Sequence, residues 1–298
     1  MTGGHPTRGI LLGLAGYAAF SFSDAFIKLL GGAIPTFELM FLGGLVGFLA
    51  LPFVRQPGEP WSAPVRPRLP KVFAARMVFG AINNLGALVA FTRLPMAETF
   101  ALIFLMPIFV TLLSMLVLKE HVGWRRGVAV LVGFAGVMVV LRPGFREVGL
   151  GHIAAIACGL AGAVNVILVR LAGDREWRLT LYATPLVGNV LVAGLLMLPS
   201  LAPFPLALMP KALGFALLSA LGGVLLMLAT LAAPVNRVAP AQYSQMLWAV
   251  LLGWLLFAEH LDAATWIGIA VIVGSGLFTL LREEHVTGWW HRMRMLLP

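Results

Sequence analysis

Long apolar stretches, separated by brief gaps of Pro, Gly or charged residues, make up nearly all of this 298-residue chain. An apolar stretch of about 17–25 residues forms an α-helix that can cross the roughly 30 Å of hydrocarbon in a bilayer. Only 11% of the residues are charged, whereas soluble domains average about 25%. The sequence therefore predicts an all-α integral membrane protein. Ten transmembrane helices are predicted, at residues 9–30, 36–54, 72–92, 97–118, 124–141, 149–171, 178–198, 211–232, 239–257 and 264–281.

The Lys and Arg residues lie mostly in the gaps and indicate the orientation of the chain. Basic residues close to a span favour the cytoplasmic side. Most of the 21 Lys and Arg residues share one side when the N-terminus is placed inside, so we predict that both termini are cytoplasmic. Topology thus accounts for the formal charge of +9. No basic groove with stacking aromatics is visible, and we expect membrane lipid and no nucleic acid as partners.

A segment of the first half of the chain recurs in weaker form in the second. Residues 93–142 align with residues about 139 positions later, with Pro95 on Pro234. In the N-terminal parts, Lys28 aligns with Arg170 at an offset of 142. The offset is consistent although the identities are few, which is typical of two homologous units.

Two homologous halves, residues 1–147 and 148–298, follow from this repeat. Each half holds five predicted spans, and because five is odd the second half enters the membrane from the opposite side. Inverted repeats supply two conformations, one open to each side of the membrane. The sequence therefore favours a secondary transporter that works by alternating access. A duplication that merely enlarged the bundle remains the alternative.

One motif of this repeat resembles a known family. Pro107-x-Phe109 is followed by Glu120 and by glycines at helical spacing, and the second half keeps the glutamate and the glycines but has Met246 in place of the proline. This pattern resembles the EamA domain of the drug/metabolite transporter superfamily. The glycines are Gly127, Gly133 and Gly136 in the first half and Gly268, Gly274 and Gly276 in the second.

The resemblance carries expectations about function. It implies a transporter that exports amino acids or other small metabolites across the bacterial inner membrane, similar to the YddG-type amino-acid exporters. It also implies a cavity lined by the third, fourth, eighth and ninth spans. Many family members have an arginine in the second span, but residues 39–44 contain none, so a role assigned to that arginine does not carry over.

Asp24 is the most conspicuous charged residue within a predicted span. Ionisable residues at membrane depth are costly unless they are paired or face a water-filled cavity. Lys28 follows at i+4 on the same helical face, where the two side chains can pair. Asp24 and Lys28 are therefore either an intrahelical ion pair or a site for a proton or a charged substrate.

Amide and aromatic side chains supply further candidates for substrate binding. Asn83 and Asn84 lie near the middle of the third span, where an amide either holds a substrate or bonds a neighbouring helix. The start of the ninth span combines polar and aromatic groups that suit either a binding wall or an interfacial belt. Its candidates are Tyr243, Ser244, Gln245 and Trp248, and the weaker candidates elsewhere are Asn165, Tyr17 and Ser21.

Glu120 and Glu259 end the equivalent fourth and ninth spans. In the inverted arrangement Glu120 lies inside and Glu259 outside. The two carboxylates either form a gate that exchanges helix-end hydrogen bonds or are simply solvated at the helix ends. The glycines of the fifth and tenth spans favour close helix approach. They also suit a dimer interface, so both a monomer and a homodimer remain open.

Other functional classes fit the sequence less well. The six histidines lie near span ends or termini, no HExxH motif is present, and the single Cys158 forms no intrachain disulfide; we therefore predict no enzyme, metal or cofactor. A channel would need charged rings or a carbonyl filter. A nucleotide-sugar carrier or lipid-linked-sugar flippase of the same superfamily is the alternative to an amino-acid exporter.

Overall fold

Helices account for all the regular structure in the described part of the chain. The computed structural model describes residues 6–119, 124–141, 147–200, 203–233 and 238–275. The helices are α1 (Pro6–Leu30), α2 (Thr36–Gly47), α3 (Leu51–Val54), α4 (Pro70–Arg93), α5 (Met96–Ile103), α6 (Met106–Val117), α7 (Trp124–Leu141), α8 (Leu150–Ala172), α9 (Arg178–Met197), α10 (Met209–Ala232), α11 (Ser244–Phe257) and α12 (Ala263–Ser275).

Seven stretches of the described chain are long and apolar enough to cross a membrane. They are α1, α2 with α3, α4, α5 with α6, α8, α9, and α10 with the turn before it, and each coincides with a predicted span. The other three predicted spans contain the shorter helices α7, α11 and α12. The prediction of a multi-pass, all-helical membrane protein is therefore confirmed, while the count of ten remains a prediction.

Proline explains why one predicted span is two helices. Pro107 is the second residue of α6, and it has no N–H to donate to the carbonyl of Ile103, where α5 ends. The carbonyl of Ile103 lies against α8 at Gly159, where a Cβ atom would be 3.1 Å from it. The break thus occurs where a glycine lets a neighbouring helix approach closely.

The two longest packing interfaces have matching partners in the two halves of the sequence. Helix α1 packs on α10, and α4 packs on α8. Gly9 on α1 lies against Ala233, and Gly151 on α8 lies against Leu94. Gly9 and Gly151 are 142 positions apart and Leu94 and Ala233 are 139 apart, which are the two offsets of the predicted repeat.

Helices α7 and α12 approach each other through glycine, as their sequences indicate. A Cβ atom at Gly136 would lie 3.1 Å from the carbonyl oxygen of Gly268, and one at Gly268 would lie 2.5 Å from the side chain of Val140. A Cβ atom at Gly133 would lie 2.9 Å from Oγ of Ser275, whereas Gly127 and Gly274 have no described neighbour within 4 Å. Close approach therefore depends on Gly133, Gly136 and Gly268, and Gly276 lies outside the described residues.

Candidate substrate path

An ion pair joins several segments of the chain at one end of the helix bundle. The Nζ atom of Lys28, near the end of α1, lies 2.7 Å from Oε1 of Glu259. Lys28 Nζ also donates to the carbonyl of Leu94 at 2.6 Å, and the Met96 N–H at the start of α5 donates to Oε2 of Glu259 at 2.9 Å. A carboxylate is favourable at a helix N-terminus. These contacts join α1, the α4–α5 connection and the segment after α11 at what we call the Lys28 end.

A second acid–base contact lies at the same end. The Nε2 atom of His152 is 3.1 Å from Oε1 of Glu98, and both side chains are buried. The Gly149 N–H donates to Nδ1 of His152 at 3.1 Å, so Nε2 is the nitrogen that carries a proton toward Glu98. Neither residue was predicted as a site residue, because position near a span end does not reveal a partner on another helix.

Asp24 is not the partner of Lys28. Of the two alternatives for these residues, the intrahelical ion pair is not formed in this structure, because Glu259 and the Leu94 carbonyl take the ammonium group; the site alternative stays a prediction. Asp24 has no hydrogen bond or ion pair to any described residue. Its side chain is half-buried.

The opposite end of the bundle is held by two carboxylates that cap helices. Oε1 of the buried Glu59 accepts from the N–H of Arg178, the first residue of α9, at 2.8 Å. Oε2 of Glu176 accepts from the N–H of Leu69, just before α4, at 3.0 Å. These contacts fasten the 55–69 connection to the 173–177 turn, and we call this the loop end. The starts of α4 and α9 are thereby fixed together.

A vestibule of about 510 Å³ lies between the helices and reaches the loop end at Arg178. Its lining side chains are buried or half-buried except for Val169, which is 38% exposed. Both halves of the sequence contribute. The lining residues are Phe20, Gly43, Gly47 and Arg76 from the first half and Val169, Arg178, Leu181, Tyr182, Pro185, Leu186, Ser219, Ala220, Gly223 and Met227 from the second.

The lining differs from the one that the resemblance implied. Helices α4 and α10, in the third and eighth predicted spans, do line the vestibule, but no residue of the fourth or ninth predicted span does. Helices α1, α2, α8 and α9 line it instead. Gly223 on α10 makes room for Tyr182 on α9, because a Cβ atom at Gly223 would lie 2.8 Å from the Tyr182 hydroxyl oxygen.

Arg76 is a functional candidate that the sequence does not reveal, because a basic residue near the start of a span normally indicates topology. Its side chain is only 6% exposed. It donates to the carbonyl oxygens of Asn165 on α8 at 3.1 Å and of Leu181 on α9 at 2.7 Å. Its Nε–H has no partner in the described part of the chain.

Two of the three predicted amides, Asn83 and Asn165, make hydrogen bonds to α8. Asn83 donates to the carbonyl of Cys158 at 2.9 Å, which joins α4 to α8. Asn165 donates to the carbonyl of Ala161 within its own helix at 3.1 Å. The Oδ1 atoms of Asn84 and Asn165 are buried without a hydrogen-bond partner among the described residues.

The aromatic and hydroxyl candidates do not meet at the vestibule. Tyr243 packs edge-on against Phe104 at 5.5 Å between ring centroids, and Trp248 packs against Phe22 at 5.5 Å. Ser244 bonds locally to Ala241 and Ser21 to Tyr17, while Gln245 is buried. Tyr243 and Ser244 line a separate, mainly apolar groove between α11 and α12, and Glu120 lies outside the described residues.

Sequence comparison supports the class of protein that this geometry indicates. Residues 7–142 match the model of the EamA-like transporter family. A riboflavin transporter of Rhizobium johnstonii is 29% identical over 247 residues, which cover 80% of this chain and 79% of that protein. An S-adenosylmethionine uptake transporter of Rickettsia prowazekii is 24% identical over 284 residues, 93% of this chain and 94% of that protein.

A structural comparison supports the fold as well. A crystal structure aligns with 94% of this chain and 99% of its own at a TM-score of 0.58 and 22% identity. The chain is thus a multi-pass membrane transporter. Its residues 7–142 match the EamA-like transporter family, and the relatives named as transporters support an EamA-type transporter of the drug/metabolite transporter superfamily.

Proposed function

We propose that this chain carries amino acids, or metabolites built on an amino acid, across the membrane by alternating access. The observation that carries the proposal is the vestibule between the two halves of the sequence, which reaches the loop end while the Lys28–Glu259 pair closes the other end. A path open at one end only is what a carrier needs in one of its two states.

Asp24 supplies the argument for an amino group in the substrate. A carboxylate without a partner is costly inside a membrane protein, and an ammonium group of the substrate removes that cost. Phe20 lines the vestibule, and Asp24 lies four residues further along α1, on the same side and about 6 Å deeper. A substrate that passes Phe20 therefore meets Asp24 before it meets Lys28.

The matched packing of the two halves supports the inverted repeat. Residues 1–147 and 148–298 would each form a five-helix unit, with ten spans in all. Helix α1 on α10 and α8 on α4 are then the same interface formed twice, and Gly9 against Ala233 corresponds to Gly151 against Leu94. Exchange of the two half-shapes would open the Lys28 end and close the loop end.

The orientation and the direction of transport complete the proposal. The bias of Lys and Arg places the loop end and both termini in the cytoplasm of a bacterium, with the Lys28 end outside the inner membrane. The described state is then open to the cytoplasm, which suits export of amino acids. A carrier without a coupled ion follows the gradient of its substrate, so the same protein supports uptake when that gradient reverses.

The relatives define which compounds the test must include. S-adenosylmethionine, named for the Rickettsia protein, carries the ammonium and carboxylate groups of an amino acid. Riboflavin, named for the Rhizobium protein, carries neither. Asp24 therefore favours substrates of the first kind.

Exchange in proteoliposomes tests the proposal. Purified protein is reconstituted into vesicles preloaded with unlabelled amino acids, S-adenosylmethionine, riboflavin or a nucleotide sugar, and uptake of each labelled compound is followed. We expect uptake of an amino-containing compound that is accelerated by the same compound inside. Exchange of riboflavin or the nucleotide sugar alone would overturn the proposal. Uptake at the same rate with and without the compound inside the vesicles would overturn it as well.

A further inference from the structure

The vestibule contains a buried cation without a carboxylate partner. Arg76 makes no ion pair with any described residue, and only two of its five N–H groups have hydrogen-bond partners, both of them backbone carbonyls. A guanidinium inside a membrane protein is expensive unless its charge is compensated. An anionic ligand in the vestibule is one source of that compensation.

Pro185 explains how Arg76 is held. Pro185 stands inside α9 and has no N–H, so the carbonyl of Leu181, four residues earlier, has no partner within the helix. Arg76 donates to that carbonyl. Close packing makes this contact possible, because a Cβ atom on Gly80 would lie 2.9 Å from Pro185. The helix break and the close approach together aim one edge of the guanidinium at α9.

A purely structural role does not account for the choice of arginine. A neutral amide on α4 would satisfy a free carbonyl at a much lower desolvation cost. Arginine adds a fixed charge and a planar set of donors that matches a carboxylate or a phosphate. Each of the two Nη groups makes a single hydrogen bond to a described residue, which leaves part of that donor set unused.

Arg76 and Asp24 lie at different depths along the path from the loop end. Arg76 donates to the carbonyl of Leu181, three residues after Arg178 at the loop end. Asp24 instead lies four residues before Lys28, whose ion pair marks the opposite end. The guanidinium is therefore nearer to the loop end than Asp24 is.

We propose that Arg76 is an anion-recognition subsite of the vestibule, which binds the carboxylate of the transported compound before its amino group reaches Asp24. This inference rests on the proposed function. Arg76 lies toward the loop end and Asp24 toward the Lys28 end, so the two charges act in sequence on such a substrate. Arg76 then selects for an acidic group at the open end, and Asp24 selects for an amino group deeper in the path.

Comparison of an acid with its amide tests the subsite. For the best-exchanged amino acid and its carboxamide, we expect wild-type protein to prefer the acid by about tenfold or more in KM. Arg76→Gln should raise the KM for the acid by about tenfold and change the KM for the amide by less than about twofold. An equal loss for both compounds would mean that Arg76 serves only the fold.

A second variant protects the test against misfolding. Arg76→Gln combined with Pro185→Ala returns an N–H to position 185, so the Leu181 carbonyl regains a helical partner without Arg76. We expect this double variant to fold and still to have lost the preference for the acid. If the double variant prefers the acid as the wild type does, the proposal is wrong.

A ligand that needs no transport separates this inference from the proposed function. Benzoate and benzamide share a shape and differ in charge, and their effect on the thermal unfolding of detergent-purified protein reports binding. Stabilisation by benzoate that disappears in Arg76→Gln supports the subsite even when no amino acid is exchanged. Equal stabilisation of the wild type and Arg76→Gln by benzoate would contradict it.

Discussion

The ammonium group of Lys28 lies 2.7 Å from the carboxylate of Glu259, although α1 and the segment after α11 are at opposite ends of the sequence. Both side chains are largely shielded from solvent, at 17% and 13% exposed. The pair bridges the two predicted halves, so it must break if the halves separate at this end. A closure of this kind has a measurable strength.

Removal of the charge from Glu259 should open the Lys28 end. Glu259→Gln keeps the shape of the side chain but loses the ion pair, and a charged hydrogen bond contributes about 1.5–3 kcal/mol. We expect a cysteine placed at the buried Ala97, beside Glu259, to react with a polar maleimide about tenfold faster in this variant. The measurement uses a Cys158→Ala background.

The matched control for this prediction is Glu147→Gln. Glu147 is exposed, so its neutralisation should leave the labelling rate at position 97 unchanged. Equal labelling of Glu259→Gln and the control would show that the ion pair does not hold this end closed.

Asp24→Asn should abolish transport without loss of protein. The carboxamide has nearly the same volume and no charge, so the fold keeps its packing while the substrate's amino group loses its counter-charge. We expect exchange in vesicles to fall by about tenfold or more, with normal yield and unfolding temperature. Near-normal exchange by this variant would remove Asp24 from the path.

The adjacent amides should separate into two roles. Asn83→Ala loses the bond to the Cys158 carbonyl and should lower the free energy of unfolding by about 0.6–2 kcal/mol. Asn84→Ala removes an amide whose Oδ1 atom has no partner among the described residues, so it should change stability little. Chemical unfolding in detergent distinguishes the two, and a larger loss in Asn84→Ala than in Asn83→Ala would reverse the assignment.

Close approach of α7 and α12 should make one glycine sensitive and its neighbour tolerant. Gly268→Ala places a Cβ atom 2.5 Å from the Val140 side chain, and overpacking costs about 1–3 kcal/mol. Gly274→Ala, where no atom of the described residues lies within 4 Å, should gain helix propensity of up to about 1 kcal/mol. Thermal unfolding measures both, and two equal shifts would argue against the packed interface.

The helices were largely predictable because their causes are local. Apolar length defines a span, and the ends of α4 and α8 fall within two residues of the prediction. The break at Pro107 follows from its missing N–H, but the apolar stretch around it is continuous and therefore indicates a single helix. What sequence pattern cannot supply is the neighbour of each helix face.

The site was less predictable for the same reason. Lys28 has an obvious local partner in Asp24, and only the folded chain brings Glu259 and the Leu94 carbonyl closer. Arg76 looks like any other basic residue near a span end until its contacts with α8 and α9 are seen. The sequence offers one clue in Pro185, which predicts that the Leu181 carbonyl lacks a helical donor. It does not indicate which helix supplies the donor instead.

Crosslinking across the Lys28–Glu259 contact tests the central claim most directly. Lys28→Cys and Glu259→Cys are combined with Cys158→Ala, and a short cleavable dithiol-specific crosslinker joins the two thiols, because two long side chains that meet at 2.7 Å leave a gap that a direct disulfide spans poorly. Alternating access predicts that exchange of the best substrate stops on crosslinking and returns when the linker is cleaved. Exchange that continues while the Lys28 end is locked would contradict the account.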